Sequence, residues 1–197
     1  MISKITKITL LLVGGILLNM QGTSARYSMG SCAEVDYMSS FNPALYVGRW
    51  YEIFRDAETS FEKGTDCVVA TYGKITDNIV SVYNYAVYLN DNSLSTIRGQ
   101  ANCKGSKCKV KFDQFFIPTG NYNVLDTDYT NYAIVHSCTN FLFGLFKSEI
   151  VWVLGRAQTM SAGDITLRKQ TINDNLPGYD ADANLYQTVH GGSCVYE

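Results

Sequence analysis

Alternation of apolar and polar positions at a period of two dominates the middle of the chain. Eight runs rich in Val, Ile, Tyr, Phe and Thr follow one another at 47–56, 66–75, 79–89, 94–102, 108–117, 121–128, 131–139 and 149–157. Turn residues separate them, among them Thr76-Asp77-Asn78, Asn90-Asp91-Asn92, Lys104-Gly105-Ser106 and Pro118-Thr119-Gly120-Asn121. β-Branched and aromatic side chains suit a pleated, half-buried surface, so eight such runs predict an all-β antiparallel sandwich or barrel. Connections this short make sequential neighbours pair, which favours an up-and-down meander over a Greek key. Closure removes the edges of a meander, and an eight-stranded barrel has room inside for side chains or one small ligand.

One later segment has a helical pattern instead. Ser161 is placed to cap a helix, Asp164 follows three residues on as an approximate capping box, and Met160 faces Ile165 as a hydrophobic staple. Ile165, Ile172 and Leu176 then fall along one face before Pro177-Gly178 stops the run. A lone C-terminal amphipathic helix must dock on something apolar, and the outside of the sheet is the available surface. A short final strand is expected near 184–188.

The N-terminus changes the compartment. Lys4 and Lys7 precede an apolar run from Ile8 to Leu18, and Thr23-Ser24-Ala25 offers small residues where a signal peptidase reads. The run is too short to span a bilayer as a stop-transfer helix. Residues 1–25 are therefore expected to be a signal peptide, and residues 26–197 a single secreted, extracellular domain, with Gly22 as a second candidate cleavage point. The segment carries two lysines and no acid, so its removal takes the net charge from −2 to −4. Mild acidity without a basic stripe argues against nucleic acid as a partner.

All six cysteines, Cys32, Cys67, Cys103, Cys108, Cys138 and Cys194, follow the signal segment, and an even count in a secreted chain reads as disulfides. A zinc site is the competing reading of Cys103-Lys104-Gly105-Ser106-Lys107-Cys108. The second cysteine pair it would need is missing, and His136 and His190 have no ligand-like spacing. No metal and no cofactor is implied. No Asn-x-Ser/Thr acceptor occurs in the chain.

Three short motifs then stand in order. Gly48-Arg49-Trp50-Tyr51-Glu52-Ile53 opens the first run, Thr127-Asp128-Tyr129 lies at the turn between the sixth and seventh, and Arg156 ends the eighth in Val151-Trp152-Val153-Leu154-Gly155-Arg156. In these motifs and their order the chain resembles the lipocalin family, on its apolipoprotein D-like branch, over essentially all of residues 26–197. The resemblance implies that Trp50 plugs the closed end of the barrel with Arg156 across its ring. Gly48, Trp50, Thr127, Asp128, Tyr129 and Arg156 are then fold residues rather than ligand contacts. It also implies disulfides Cys32–Cys138 and Cys67–Cys194, each closing a loop of more than a hundred residues. Cys103 and Cys108 depart from the family pattern; flanking a four-residue turn, they read plainly as a third disulfide clamping a hairpin.

Strand parity and the resemblance together give a candidate lining. With Arg156 beneath Trp50, Trp152 and Leu154 point inward, and the parity of Trp50 sends Glu52 and Phe54 inward. The resemblance adds Tyr72, Asn84, Tyr122, Trp152 and Phe112 as ligand contacts, and Val80, Val82 and Tyr88 share the parity of Asn84. An aromatic wall with a few polar handles suits a small hydrophobic ligand such as a fatty acid, sterol, retinoid-like molecule or tetrapyrrole. The alternatives are a lipocalin-type enzyme acting on a lipid and a protein-binding barrel whose aromatics simply fill the core.

Against the enzyme, every cysteine has a prospective disulfide partner, and Phe61 stands where the catalytic thiol of the prostaglandin-isomerase type would be expected. Glu52 reads as the only interior carboxylate, with no acid or histidine beside it. Finally, Phe141, Leu142, Phe143, Leu145 and Phe146 crowd one connection at the predicted open end. Such a loop covers the mouth, touches a membrane or lipoprotein surface, pairs two molecules, or folds inward.

Overall fold

The computed structural model describes residues 26–192 and 194–196. The segment 1–25 expected to be a signal peptide lies outside the described residues. In chain order the elements are β1 Arg26–Met29, α1 Pro43–Tyr46, β2 Gly48–Asp56, β3 Thr65–Lys74, β4 Ile79–Tyr88, β5 Leu94–Lys104 and β6 Lys107–Phe112. After these come β7 Gly120–Thr127, β8 Tyr132–Phe141, β9 Phe146–Gly155, α2 Ala162–Asn175, α3 Ala181–Asn184 and β10 Leu185–Gln187.

Strands β2 to β9 form an antiparallel meander, and β9 returns to pair with β2, which closes the eight-stranded barrel. Two short strands extend the sheet. β1 lies along β9 through Arg26↔Glu149 to Met29↔Phe146. β10 lies along β2 through Leu185↔Asp56 to Gln187↔Phe54. Beyond it, Thr188 N–H donates to Ile53 O and Cys67 N–H to Val189 O, so the tail bridges β2 and β3 where their own ladder stops at Tyr51.

Alternation sorts the strands' side chains into an inner and an outer core. The inner cluster takes Trp50, Tyr72, Val80, Val82, Ala101, Val110, Val124, Ala133, Val135 and Leu154. The outer one takes Ile134, Val151 and Val153 from the intervening positions, together with Ile172 and Leu176 of α2. Helix α2 therefore docks outside the barrel as its periodicity predicts. Ser161 Oγ accepts from Asp164 N–H at 3.1 Å, and Met160 and Ile165 both pack against the edge of the same cluster. The cap differs from a full capping box, because Ser161 Oγ also donates to the Asp164 carboxylate at 2.6 Å.

All three disulfides are formed: Cys32–Cys138, Cys67–Cys194 and Cys103–Cys108. The third joins directly opposite residues of β5 and β6, and its sulfurs lie in the inner core rather than on the surface. Gly99 shows how tightly that hairpin is drawn: a Cβ there would meet Lys111 O at 2.4 Å and the Phe112 Cα at 2.8 Å.

Strand limits depart from the sequence pattern in one informative place. The run 108–117 stops at Phe112, and Phe115 and Phe116 stand exposed in the β6–β7 loop. Their strand propensity has no partner there, since β7 pairs with β6 only up to Val110↔Gly120.

Candidate functional site

The closed end of the barrel is built around Trp50, which is 0% exposed. Its indole N–H donates to Tyr46 O at 2.8 Å, and the Arg156 guanidinium lies 3.6 Å from the ring centroid. Arg156 also donates to the carbonyls of Arg49, Val47 and Tyr129 at 2.8, 3.0 and 3.0 Å, so its charge is neutralised by aligned dipoles and a π face. Gly48 is needed beneath it: its φ is +99°, and a Cβ would sit 3.2 Å from Arg156 Nη1.

The Thr127-Asp128-Tyr129 turn seals the same end. Asp128 Oδ1 accepts the backbone N–H groups of Thr130, Asn131 and Tyr132, and Oδ2 accepts from Asn131 Nδ2. Partial burial alone would raise the Asp128 carboxyl; those hydrogen bonds outweigh it and hold the group below its ordinary value. Tyr129 OH accepts from Asn42 N–H at 2.9 Å, which ties α1 over the opening. Thr127 Oγ1 donates to Tyr132 O at 2.6 Å within the same turn, so all six motif residues make contacts at the closed end.

Above Trp50 lies a floor of three tyrosines. Tyr72 OH donates to Tyr122 OH at 2.8 Å, and Tyr122 OH bonds Tyr46 OH at 2.9 Å. Burial, first, pushes all three phenols up. Among Phe41, Tyr46, Tyr72, Tyr122 and the Cys103–Cys108 bridge the remaining space is about 10 Å³, at most one water. Tyr72 and Tyr122 are therefore inside, as expected, but their hydroxyls are spent on each other and on Tyr46.

Higher up, the inward positions open. Asn84, Phe112 and Trp152 all point into the barrel and remain partly exposed, and Asn84 Oδ1 is buried with no hydrogen-bond partner among the described residues. Leu154 is inward but deep, 4% exposed, at the level of the floor. Phe54 is a correction. A β-bulge between Glu52 and Phe54 spends Ile53 as an extra residue, so parity reverses: Phe54 packs outside with Ile172 and Leu176 of α2. Arg55 takes the inward place, opposite Trp152.

Glu52 is inward and 2% exposed, but it is not free for a ligand. Its Oε1 accepts from Arg55 Nη1 at 2.8 Å and from Thr188 Oγ1. Nor is it the only interior carboxylate, as the strand pattern had implied. Glu62 reaches into the cup from the β2–β3 loop, where a single 3₁₀ turn, Ser60–Glu62, points it at the wall. Its Oε2 accepts from the Trp152 indole N–H at 3.1 Å. Enclosure by the barrel raises the Glu62 carboxyl to about 8, and the nearby Glu52 charge adds to the rise.

The rim is apolar. The predicted loop is the tip of the β8–β9 hairpin, with Phe141 paired to Phe146 and Leu142–Gly144 forming a 3₁₀ turn. Phe143 is fully exposed, and Leu142 and Leu145 largely so. Phe61, Leu89, Leu94, Phe115 and Phe116 are exposed in or beside the other loops at this end. Strand periodicity could not have found them, because loops carry none.

Two other features lie outside the cup. His136, Cys138 and Glu149 lie close enough to resemble a metal set, but Cys138 is bonded to Cys32. His136 is buried, with Nε2 on Glu149 Oε1 at 2.9 Å and Nδ1 on Tyr37 OH at 2.7 Å, a packed histidine. A groove of about 610 Å³ runs outside the closed end between the Asp128 turn and the start of α2. Asp128 and Asp164 in its wall are committed to the turn and the helix cap, and it lies away from the cup.

Comparison with known proteins agrees with this architecture. A family model described as a lipocalin-like domain matches residues 43–188. Apolipoprotein D of Oryctolagus cuniculus is 35% identical over 167 residues, covering 83% of this chain and 85% of that protein. The Lazarillo protein of Schistocerca americana is 33% identical over 171 residues, covering 83% and 75%. Among solved structures, insecticyanin from Manduca sexta aligns with a TM-score of 0.73 at 21% identity, covering 87% of this chain and 92% of that one. A closed meander of eight strands, an indole plug under a guanidinium, an external helix and these relatives together place the chain in the lipocalin family, on its apolipoprotein D-like branch.

Proposed function

We propose that the protein is a carrier or scavenger that holds one small hydrophobic molecule in the upper half of the cup. The observation that carries this reading is a contrast of packing along one interior. Below Tyr72 and Tyr122 the barrel is solid; above them Asn84, Phe112 and Trp152 face inward and stay partly accessible. A ligand there would gain ~25 cal/mol per Å² of apolar burial before ordering costs. It would also give the unpartnered Asn84 Oδ1 a donor.

The ligand-contact set in this reading is Asn84, Phe112 and Trp152, with Tyr72, Tyr122 and Leu154 as the floor. Fatty acids, sterols, retinoid-like molecules and tetrapyrroles all suit such a wall. A cup filled to the rim with tyrosines would instead favour a protein-binding barrel, and the tyrosine packing stops halfway. The enzyme reading has no thiol to use, since all six cysteines are in disulfides. Its remaining carboxylate on the strands, Glu52, is held by Arg55 and Thr188.

Among the described residues no helix is long and apolar enough to cross a membrane. Secretion after removal of residues 1–25 fits the disulfides. The exposed rim, with Phe143 at its tip, would seat the open end on a membrane or lipoprotein surface and shorten the ligand's path through water. Displacement of a fluorescent fatty acid or retinoid analogue from the purified protein tests the carrier reading. Competition by at least one ligand class, weakened by Trp152→Ala, is expected; no binding across all classes sinks it.

A further inference from the structure

We propose that Glu62 is the head-group-reading residue of the cup, and that it selects amphiphiles ending in a cationic amine over those ending in a carboxylate. The inference rests on the carrier reading and narrows its ligand class. It begins with Arg55, the guanidinium that would otherwise attract a fatty acid. Nη1 donates to Glu52 Oε1 at 2.8 Å and to Thr188 Oγ1 at 3.3 Å, Nη2 donates to Thr65 O at 2.8 Å, and the group lies 4.5 Å from the Tyr186 ring centroid. Its charge is matched by Glu52 and its donors are engaged on β2, on β3 and on Thr188 just past β10. A ligand carboxylate would have to break that set.

Glu62 is placed differently. One carboxyl oxygen accepts from Trp152 Nε1, and among the described residues no cation forms an ion pair with the group. Its charge is felt at Tyr72 on the cup floor, where it adds to the burial that raises that phenol. The groups facing it are Glu52 and Arg55 on β2, Trp152 on β9 and Tyr72 on β3. Tyr186 and Thr188 of the tail lie behind Arg55, and Asp66 of β3 engages the Tyr186 hydroxyl. Glu52 and Arg55 cancel, so Glu62 decides the sign of the interior. Ionised, it attracts an ammonium and repels a carboxylate inside a wall of low polarity.

Held near 8, the carboxyl is largely protonated at neutral pH in the free protein. Seating an ammonium group beside it favours the ionised form, so Glu62 releases its proton to solvent as the amine binds. The experiment titrates decylamine, decanol and decanoate, which share a chain and differ in the head, into the full protein by calorimetry. At pH 9 decylamine is expected to bind about tenfold or more tighter than decanoate, the equivalent of one pKa unit. At pH 7, in buffers of different ionisation enthalpy, its binding should release close to one proton. Glu62→Gln should abolish both the proton release and the amine preference while decanol still binds. Equal affinities for amine and carboxylate, or amine binding without proton release in the unmodified protein, overturn the inference and leave the carrier reading standing. No binding of any of the three defeats the carrier reading itself.

Discussion

The two ends of this barrel are made from the same strands yet solve opposite problems. At the closed end, polar groups find partners inside the protein. Arg156 spends itself on Trp50 and the carbonyls of Tyr46, Val47, Arg49 and Tyr129, Asp128 takes three backbone N–H groups, and Tyr46, Tyr72 and Tyr122 bond one another. At the open end, among the described residues, Asn84 Oδ1 has no partner and the Glu62 carboxyl has no ion-paired cation, and Phe143 stands wholly in solvent. Stability is thus concentrated where nothing needs to enter, and unsatisfied chemistry where something does. If that division is right, substitutions at the two ends separate into stability effects and binding effects.

The largest stability effect belongs at the plug. Trp50→Ala removes a fully buried indole and strands Arg156 over a cavity, with an expected loss of about 3–5 kcal/mol. Urea unfolding measures it. A loss under 1 kcal/mol would mean that the closed end is not the main support of the barrel. Next comes the tail. Replacing Cys67 and Cys194 with Ser opens a bridge spanning 127 residues, which is worth ~2–5 kcal/mol. Removing Cys103–Cys108, which spans 5 residues, should cost less in loop entropy. Its burial in the inner core adds a packing loss that a surface clamp would not show.

The tyrosine floor sets the boundary between the two ends. Tyr122→Phe removes the hydroxyl shared by Tyr46 and Tyr72 and leaves both without their partner. The cost should be ~1–3 kcal/mol in denaturant unfolding, with ligand affinity little changed. A large loss of affinity at unchanged stability would move the floor into the binding site.

What the chain reveals on sight follows the same division. Period-two runs gave the barrel, and helical periodicity with a Ser161 cap gave α2, because both patterns are local. The motif residues around Trp50 and Arg156 were legible because each has one structural job. Phe54 was misplaced because Glu52-Ile53-Phe54-Arg55 alternates as smoothly with a bulge as without one. Only the pairing to Leu154 and Val153 shows the extra residue. Glu62 was missed because it enters the cup from a loop, where no period tells inside from outside. Strand β1 was missed too: four residues of mixed polarity become a strand only because β9 extends past the barrel to meet them.

The open end predicts a pH effect with a definite sign. The Glu62 carboxyl lies near 8 in the folded protein and at about 4.5 when exposed, so between these values the folded state holds the proton and the unfolded state does not. Stability should therefore fall as pH rises from about 4.5 to about 8 and level off above. Glu62→Gln should flatten that slope, as read from unfolding midpoints at pH 5, 7 and 9. An unchanged slope would place the enclosed charge elsewhere.

The smallest stability effect should come from the rim, and there it is the absence of a cost that matters. Phe143 and Phe146 contribute exposed surface at the tip and base of the β8–β9 hairpin, so replacing both with Ser should change stability by no more than about 0.5 kcal/mol. The same double variant should bind liposomes measurably less, because the apolar area it removes faces outward. Flotation with phosphatidylcholine vesicles separates two accounts of the rim. Reduced partition at unchanged stability makes it a lipid-facing surface. Unchanged partition with a large loss of stability would instead mean that the rim folds over the mouth, and the contrast between the two ends would then fail at its most exposed point.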